Sequence, residues 1–245
     1  MLDLIWLIPF FPLLGAFVNG VFGRRFPKPV AYWIACGSVF LSFLVSVGAV
    51  IELSGLAPEH RFHEVTLFEW VRAGATKIDL GYLLDPLSAV MILVVSGVGF
   101  LIHVYSIGYI HHDPGHNRYF TYLNLFCFAM LTLVLGSNFL VLFVGWEGVG
   151  LCSYLLIGFW FTESEKAAAG MKAFIVNRIG DLAFLLGIFL LASQMGTVSF
   201  PGMEALLARA PDTLSNVAFE LGGFSPKVVT VAAVLLFIGA CGKSA

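Results

Sequence analysis

Charge is scarce in this sequence. Charged residues make up 11% of the 245 residues, whereas hydrophobic residues make up 59%. Soluble domains contain about 25% charged and roughly 45–50% apolar residues. The charged residues are therefore too few to cover the surface of a soluble protein of this length. The formal net charge of −2 is close to zero, which provides no electrostatic basis for a nucleic-acid partner.

Cysteine is also scarce, and its spacing does not suggest a metal site. The four cysteines lie in apolar runs without any Cys-x-x-Cys pair, and we interpret them as small buried packing residues: Cys36, Cys127, Cys152 and Cys241. The sequence contains no glycine-rich nucleotide loop, nucleophile elbow or zinc-binding helix motif. We therefore predict no bound cofactor or metal in this chain.

Long apolar runs are the main feature that is present. A helix needs about 20 mostly apolar residues to cross a bilayer, and the mean hydropathy of the chain is +0.94. The runs are continuous, unlike the alternating strands of a membrane barrel. They predict an all-α membrane protein, a polytopic bundle of about seven transmembrane helices near Leu4–Phe22, Val30–Leu53, Leu87–Ile110, Tyr119–Leu135, Phe139–Phe161, Ala167–Met195 and Val228–Ala245.

The loops between these runs differ in charge. Residues 54–85 and 196–227 mix acidic and basic side chains. The alternate loops are mainly basic and contain Arg24, Arg25, Lys28, Arg118, Lys166 and Lys172. Because loops rich in lysine and arginine face the cytoplasm, the pattern predicts an N-terminus on the outer side.

The two mixed loops contain short structural signals. In the first, Val65–Trp70 and Lys77–Leu83 are β-prone and flank Ala73-Gly74-Ala75, which predicts a small outer hairpin. In the second, Met203–Arg209 is predicted to form a short surface helix. Neither loop is large or apolar enough to form a separate domain.

Four charged residues interrupt the apolar runs: Glu147, Arg178, Asp181 and Lys243. A charge at the bilayer centre costs about 2.5–3.5 kcal/mol even on insertion scales. These side chains must therefore face the interior of the bundle, pair with one another or reach water. Their positions predict proton translocation through buried charged residues.

We hypothesise that Glu147 and Lys243 form an interacting pair whose opening and closing changes the proton affinity of both. Glycines flank each of them and leave room for water or a broken helix. Arg178 and Asp181 are three residues apart on one helix face. They form either a structural ion pair or a supporting polar axis.

Histidines are further candidates. His103 lies within the third apolar run, as either a proton relay or a hydrogen-bonded core residue. His111, His112 and His116 cluster near Asp113. For this cluster we favour a solvated loop over a metal site.

Several ordered motifs resemble one membrane-protein family. They are Asp79–Ser88, Tyr105–Tyr109, Arg118–Phe120, Gly145–Ile157, Asn177–Asp181 and Gly242–Ala245. Together they resemble the antiporter-like subunits of respiratory complex I, NADH:quinone oxidoreductase, of the subunit L or chain 5 type. The resemblance covers nearly the whole chain.

The resemblance implies specific roles. Glu147 and Lys243 match the proton-channel pair of that family, and Arg178 and Asp181 match polar residues on its channel axis or at subunit contacts. NADH, FMN, Fe–S clusters and quinone are expected in other subunits. The expected partners are the other membrane subunits of complex I and the lipid bilayer. The expected location is a bacterial-type inner membrane or an equivalent energy-transducing membrane.

Family members are considerably longer than this chain, so the resemblance predicts an N-terminal part of such a subunit. Residues 1–83 would contain two transmembrane helices and the outer loop. Residues 84–245 would begin the proton-translocation domain. The alternatives are a sodium/proton antiporter subunit, a membrane-bound hydrogenase subunit, or a structural membrane subunit without transport activity.

Overall fold

The computed structural model describes residues 1–73, 76–209 and 227–244. Eight α-helices and one two-stranded sheet occur in these residues. The helices are α1 Leu7–Phe22, α2 Lys28–Ser54, α3 Pro86–Tyr109, α4 His116–Leu135, α5 Phe139–Ile157, α6 Ser164–Met195, α7 Phe200–Arg209 and α8 Val228–Ser244. The strands are β1 His63–Ala73 and β2 Thr76–Leu84.

The predicted helical bundle is confirmed. In the described residues, six helical segments are long and apolar enough to cross a membrane, and α8 is a shorter apolar helix. One detail of the loop assignment is wrong. Because α6 already begins at Ser164, Lys166 and Lys172 lie in its first turns instead of in a loop.

The predicted hairpin is also confirmed. Strands β1 and β2 pair antiparallel from His63 with Leu84 to Ala73 with Thr76; Gly74 and Ala75 lie outside the described residues. The hairpin is joined to the bundle where α4 turns into α5. There the Asn138 amide donates to the Asp79 carbonyl at 2.7 Å.

The predicted short helix at Met203–Arg209 is confirmed as α7, which begins three residues earlier, at Phe200. The backbone N–H of Phe139 donates to the Val198 carbonyl at 3.0 Å. The segment before α7 therefore lies beside the start of α5, on the same side of the bundle as the hairpin.

Proline explains one of the contacts that hold α1 in the bundle. Pro12 lies inside α1 and has no N–H to donate to the carbonyl of Ile8. The Ser42 hydroxyl of α2 donates to that carbonyl at 2.7 Å, and both residues are buried. A buried carbonyl without a partner would be costly, so this bond stabilises the α1–α2 packing.

Helices α3 and α5 each begin at a polar cap. Asp85 accepts a hydrogen bond from the Ser88 N–H at 2.7 Å and Pro86 occupies the first turn, which forms a capping box. Asn138 accepts from the N–H groups of Leu140 and Val141. These caps fix the first residue of each helix, and α3 begins within the family motif Asp79–Ser88.

Helices α6 and α8 pack closely through glycines. A methyl group on Gly239 would lie 2.6 Å from Cβ of Phe184, and one on Gly242 would lie 2.9 Å from Cα of Gly180. Side chains larger than hydrogen would separate the two helices at both positions. Small residues that permit such close approach are typical of membrane helix contacts, and this contact positions Lys243 beside α5 and α6.

The loops form two faces. On one, the Met1 ammonium contacts Glu52 at 2.7 Å and His63 contacts Asp3 at 3.0 Å. On the other, Lys28 donates to the His111 carbonyl at 2.9 Å. Asn117 also donates to the Gly23 carbonyl at 2.6 Å and Arg118 to the Phe159 carbonyl at 3.1 Å. The mainly basic loops of the sequence therefore lie together on the second face.

Candidate functional site: a charged cluster between three helices

The four interrupting charges come together between α5, α6 and α8. Glu147 lies in the middle of α5, Arg178 and Asp181 lie in the middle of α6, and Lys243 lies near the end of α8. Two acidic and two basic side chains therefore form one cluster without net formal charge. Such compensation is what charged residues within membrane helices require.

Glu147 forms an ion pair with Arg178 across the α5–α6 contact. The exposed fractions of the two side chains are 24% and 41%, so neither is fully enclosed by the described residues. The Arg178 guanidinium also lies 4.7 Å from the centre of the Phe174 ring, a cation–π distance. Arg178 therefore contacts both a carboxylate and an aromatic ring.

Asp181 is the most buried member of the cluster, with a side chain 5% exposed. Its Oδ1 accepts a hydrogen bond from Nε1 of Trp146 at 2.6 Å, and its Oδ2 lies 4.0 Å from Nη1 of Arg178. The Trp146 ring stacks on Phe184 with centroids 4.6 Å apart. The indole therefore orients the buried carboxylate while packing as an apolar group.

Lys243 reaches the cluster from α8. Its ammonium donates to the Trp146 carbonyl at 2.6 Å and lies 5.1 Å from the centre of the Trp146 ring. Gly150 leaves the space for it, because a methyl group there would lie 2.7 Å from the Lys243 nitrogen. Lys243 is thereby held at the residue that directly precedes Glu147.

These contacts bear on two sequence-based expectations about pairing. In the described residues, the ion pair of Glu147 is with Arg178, and no ion pair joins Glu147 to Lys243. Arg178 and Asp181 also form an ion pair, at 4.0 Å, as their spacing of three residues predicts. Spacing along one helix indicated the Arg178–Asp181 pair, but the closer contact is made between helices. The channel roles of these residues stay predictions.

His103 lies apart from the cluster, fully buried between α3 and α4. Its Nδ1 lies 2.8 Å from the Gly99 carbonyl oxygen and its Nε2 lies 2.8 Å from Oδ1 of Asn124. In the described residues no hydrogen bond or ion pair connects it to the charged cluster. Its role as a relay stays a prediction.

The histidine loop is built around Asp113. Oδ1 of Asp113 accepts from the Gly115 N–H at 2.6 Å and Oδ2 accepts from Nε1 of Trp160 at 2.8 Å. The Trp160 hydrogen bond is the main cause that lowers the pKa of this carboxyl below its ordinary value. His116 is buried against Tyr32, whereas His111 and His112 are exposed.

The cysteine interpretation needs one correction. Cys36, Cys127 and Cys152 are buried, as predicted, but Cys241 is exposed. The reason is that α8 packs on α6 through Gly239 and Gly242, which leaves Cys241 on a different face. Burial of a cysteine in an apolar run depends on the direction in which its helix packs.

Sequence reasoning did not single out Trp146 or Asn124 as site residues. Trp146 contacts both Asp181 and Lys243, and Asn124 is the side-chain partner of His103. A usable signal existed for Trp146, since a buried indole N–H in an apolar helix normally has an acceptor. For Asn124 the only signal was a lone amide in a membrane helix.

Two family models match the chain. One, described as NADH-ubiquinone oxidoreductase (complex I), chain 5 N-terminus, matches residues 70–120. The other, described as NADH:quinone oxidoreductase/Mrp antiporter, TM, matches residues 136–245 and includes the whole charged cluster. The chain belongs to this family of antiporter-like membrane subunits, and it is an integral, multi-pass membrane protein.

Curated relatives match along nearly the whole chain. NADH-quinone oxidoreductase subunit L of Mycobacterium tuberculosis is 40% identical over 98% of this chain and 36% of its own length. Subunit L of Rickettsia bellii is 40% identical over 96% of this chain and 35% of its own length. NADH-ubiquinone oxidoreductase chain 5 of Phytophthora infestans is 37% identical over 96% of this chain and 34% of its own length. The chain thus spans about a third of the length of these relatives.

Solved structures share the fold. A chain of the membrane-bound sulfane sulfur reductase, an archaeal respiratory membrane complex, superposes with a TM-score of 0.75. That match has 20% identity and covers 97% of this chain and 44% of the other. A chain of the Mrp complex from Dietzia sp. DQ12-45-1b also has a TM-score of 0.75, with 24% identity over 98% of this chain and 24% of the other. At these identities the likeness shows the antiporter-like fold alone.

Proposed function

We propose that this chain is part of a proton-translocating membrane subunit of NADH:quinone oxidoreductase. Electron transfer occurs in other subunits and drives proton movement through Glu147 and Lys243. The observation that carries this proposal is the neutral cluster of two acids and two bases on three apolar helices. Family membership supports the reaction class, since curated relatives are named as subunits of this oxidoreductase.

Arg178 is the element of the cluster that can change partners. It pairs with Glu147 and lies 4.0 Å from Asp181, which Trp146 holds in place. A shift of the guanidinium toward Asp181 would leave Glu147 without a cation in apolar surroundings. Because burial disfavours an unpaired charge, Glu147 would then take up a proton.

Lys243 provides the second step. Its ammonium is bound to the carbonyl of the residue before Glu147, and its flexible side chain would have to leave that carbonyl to pair with the Glu147 carboxylate. In the present arrangement the pair is open. Closing the Glu147–Lys243 pair would favour the charged forms of both groups, and opening it would disfavour them. The pair would then act as a switch with two states whose balance depends on charge.

The proposal is tested in the complete complex with the full-length subunit, reconstituted in vesicles. Proton uptake and quinone reduction are measured together for Glu147→Gln and Lys243→Met. We expect the proton-to-electron ratio to fall in both variants while assembly is retained, because each loses a titrating group. The matched controls are Glu165→Gln and Lys172→Met, which change exposed residues outside the cluster.

A normal proton-to-electron ratio in both cluster variants would contradict proton translocation through this pair. It would support a structural membrane subunit instead. His103 is tested in the same assay with His103→Gln. A fall in the ratio would assign a relay role, whereas reduced thermal stability alone would assign a packing role.

A cation/proton antiporter subunit is the second candidate, because the family model over residues 136–245 is shared with Mrp antiporters. Vesicles that contain the complex are given a sodium gradient without NADH. Sodium-driven proton movement that depends on Glu147 would favour the antiporter. NADH-driven movement that persists without sodium favours the oxidoreductase.

The remaining assignments belong to the same proposal. The loops with Arg24, Lys28 and Arg118 face the cytoplasm of a bacterial-type inner membrane, so the N-terminus lies outside. The partners are other membrane subunits of complex I, and NADH, FMN, Fe–S clusters and quinone are bound by other subunits. The division into residues 1–83 and 84–245 stays a prediction.

A further inference from the structure

A cleft on the basic face has the chemistry of an anionic-lipid site. It is a cavity of about 420 Å³ between the end of α1, the start of α4 and the α5–α6 loop. Its lining residues include two arginines, Arg24 and Arg118, and one acidic residue, Asp113. In the described part of the chain, neither arginine is within 4.0 Å of an acidic partner.

The carboxylate of Asp113 already has hydrogen-bond donors from the protein. Both oxygens of Asp113 accept hydrogen bonds, from the Gly115 N–H and from the Trp160 indole. Arg118 donates one bond to the Phe159 carbonyl, and a guanidinium has five N–H donors. The cleft therefore presents unused donors and an excess of positive charge, which suits a phosphate group.

A second cavity shares part of its wall with the first and is lined mainly by apolar and aromatic side chains, with the hydroxyl-bearing residues Tyr122 and Tyr154 among them. It measures about 260 Å³ and shares Arg118, Phe159 and Phe161 with the cleft. The rest of its wall comes from α4, α5 and α6 and includes Leu155 and Met171. A charged cleft joined to an apolar groove fits a ligand with an anionic head and a hydrocarbon tail.

The position of the cleft across the membrane also matches that of a lipid headgroup. Exposed aromatic side chains surround the bundle on this face: Trp33 79%, Tyr105 72%, Tyr109 56%, Trp160 36% and Phe161 60%. Tryptophan and tyrosine concentrate at the membrane–water interface. Basic pockets between helices at that level bind anionic lipid headgroups.

We propose that the Arg24–Arg118 cleft binds the phosphate of an anionic phospholipid whose acyl chain lies in the Leu155–Met171 groove. This assignment does not depend on which ion the subunit moves. Arg24 supplies charge from the turn that follows α1, and Arg118 supplies charge from α4. The lipid thereby bridges the α1–α4 contact to the loop between α5 and α6.

The test uses the complex with the full-length subunit in nanodiscs of phosphatidylcholine. A photoactivatable phosphatidylglycerol with a reactive acyl chain is added, and crosslinked peptides are mapped by mass spectrometry. We expect crosslinks in the 154–171 segment, at higher yield than with the matching phosphatidylcholine probe. Arg24→Gln should lower the yield about fivefold, the ratio to which the loss of one exposed ion pair of ~1 kcal/mol corresponds.

Two further variants keep the test decisive. Arg25→Gln removes a neighbouring charge that does not line the cleft, and it should leave the yield unchanged. Met171→Trp keeps both arginines and fills the groove, and it should lower the yield. Because Arg24 donates no hydrogen bond within the described residues, its replacement tests the charge without disturbing the loop.

Three results would overturn the proposal. Equal yields for the two headgroups would indicate ordinary boundary lipid. The absence of crosslinks in the unaltered complex would indicate that other protein covers the cleft. Loss of crosslinking on addition of inorganic phosphate would identify a site for the free ion instead of a lipid.

Discussion

The helices α1–α4 and the helices α5, α6 and α8 hold their polar residues in different ways. Within α1–α4 the buried polar side chains are neutral and include Asn19, Ser42, Ser46, Ser96, His103 and Asn124. Their charged residues Lys28, Glu52 and Arg118 lie in first or last turns. The second group instead holds a cluster of four charged residues, in which Glu147, Arg178 and Asp181 lie in mid-helix and Lys243 reaches them from the last turn of α8.

The difference shows two ways of making polar groups tolerable in an apolar bundle. Neutral groups can bond to nearby carbonyls, as Ser42 does with Ile8 and Asn19 with Ala31. Charged groups need opposite charges, and those come from separate helices. Packing in the second group is therefore coupled to ionisation, whereas packing in the first is not.

The largest expected effect comes from separating α6 and α8. In Gly239→Ala the new methyl group would lie 2.6 Å from Cβ of Phe184. Overpacking of this kind costs about 1–3 kcal/mol, so we expect reduced thermal stability and a lower proton-to-electron ratio as Lys243 shifts. Both are measured on the purified, reconstituted complex.

Gly108→Ala is the control, because the added methyl group would meet no other element of the bundle within 4 Å. It should leave both quantities unchanged. If Gly239→Ala behaved in the same way, the close α6–α8 contact would not be what positions Lys243.

An intermediate effect is expected in the neutral region. Ser42→Ala removes the donor for the Ile8 carbonyl, which Pro12 leaves without a helical partner. An unsatisfied buried acceptor costs about 1–3 kcal/mol. We expect a lower melting temperature with an unchanged proton-to-electron ratio.

Ser54→Ala is the matched change at an exposed position and should preserve the melting temperature. A reduced proton-to-electron ratio in Ser42→Ala would contradict the distinction between α1–α4, where polar groups serve packing, and α5, α6 and α8, where they ionise.

The smallest effect concerns the basic-face loop. The Trp160 indole, the Gly115 N–H and nearby positive charge lower the pKa of Asp113 from its ordinary value of 3.8. A lowered folded-state pKa contributes stability above the unfolded pKa, and that stability is lost as the pH falls through the folded pKa. Trp160→Phe should therefore reduce the loss of thermal stability below about pH 4.

The control for this change is Trp33→Phe, since Trp33 is 79% exposed and lies outside the loop. Melting temperatures of both variants are compared with the unaltered complex from acid to neutral pH. An unchanged acid dependence in Trp160→Phe would mean that the other donors are sufficient to lower the pKa of Asp113.

Much of the fold could be predicted from local patterns. The apolar runs identified the helices, and the β-prone segments on either side of Gly74 identified the hairpin. Helix ends were less predictable, because Lys166 and Lys172 are polar enough to suggest a loop yet lie in the first turns of α6. The first turns of a membrane helix can carry lysines that reach the membrane–water interface. Polar residues alone therefore do not show where a helix begins.

The sequence by itself determined that four charges interrupt apolar helices, and hence that they must face the bundle interior, pair with one another or reach water. Only the tertiary structure decided which of them meet. Arg178 pairs with Glu147, Trp146 holds Asp181, and Lys243 binds a backbone carbonyl. The reason is that spacing along a helix fixes which residues share a face, whereas the rotation and separation of neighbouring helices depend on packing at small residues such as Gly180, Gly239 and Gly242.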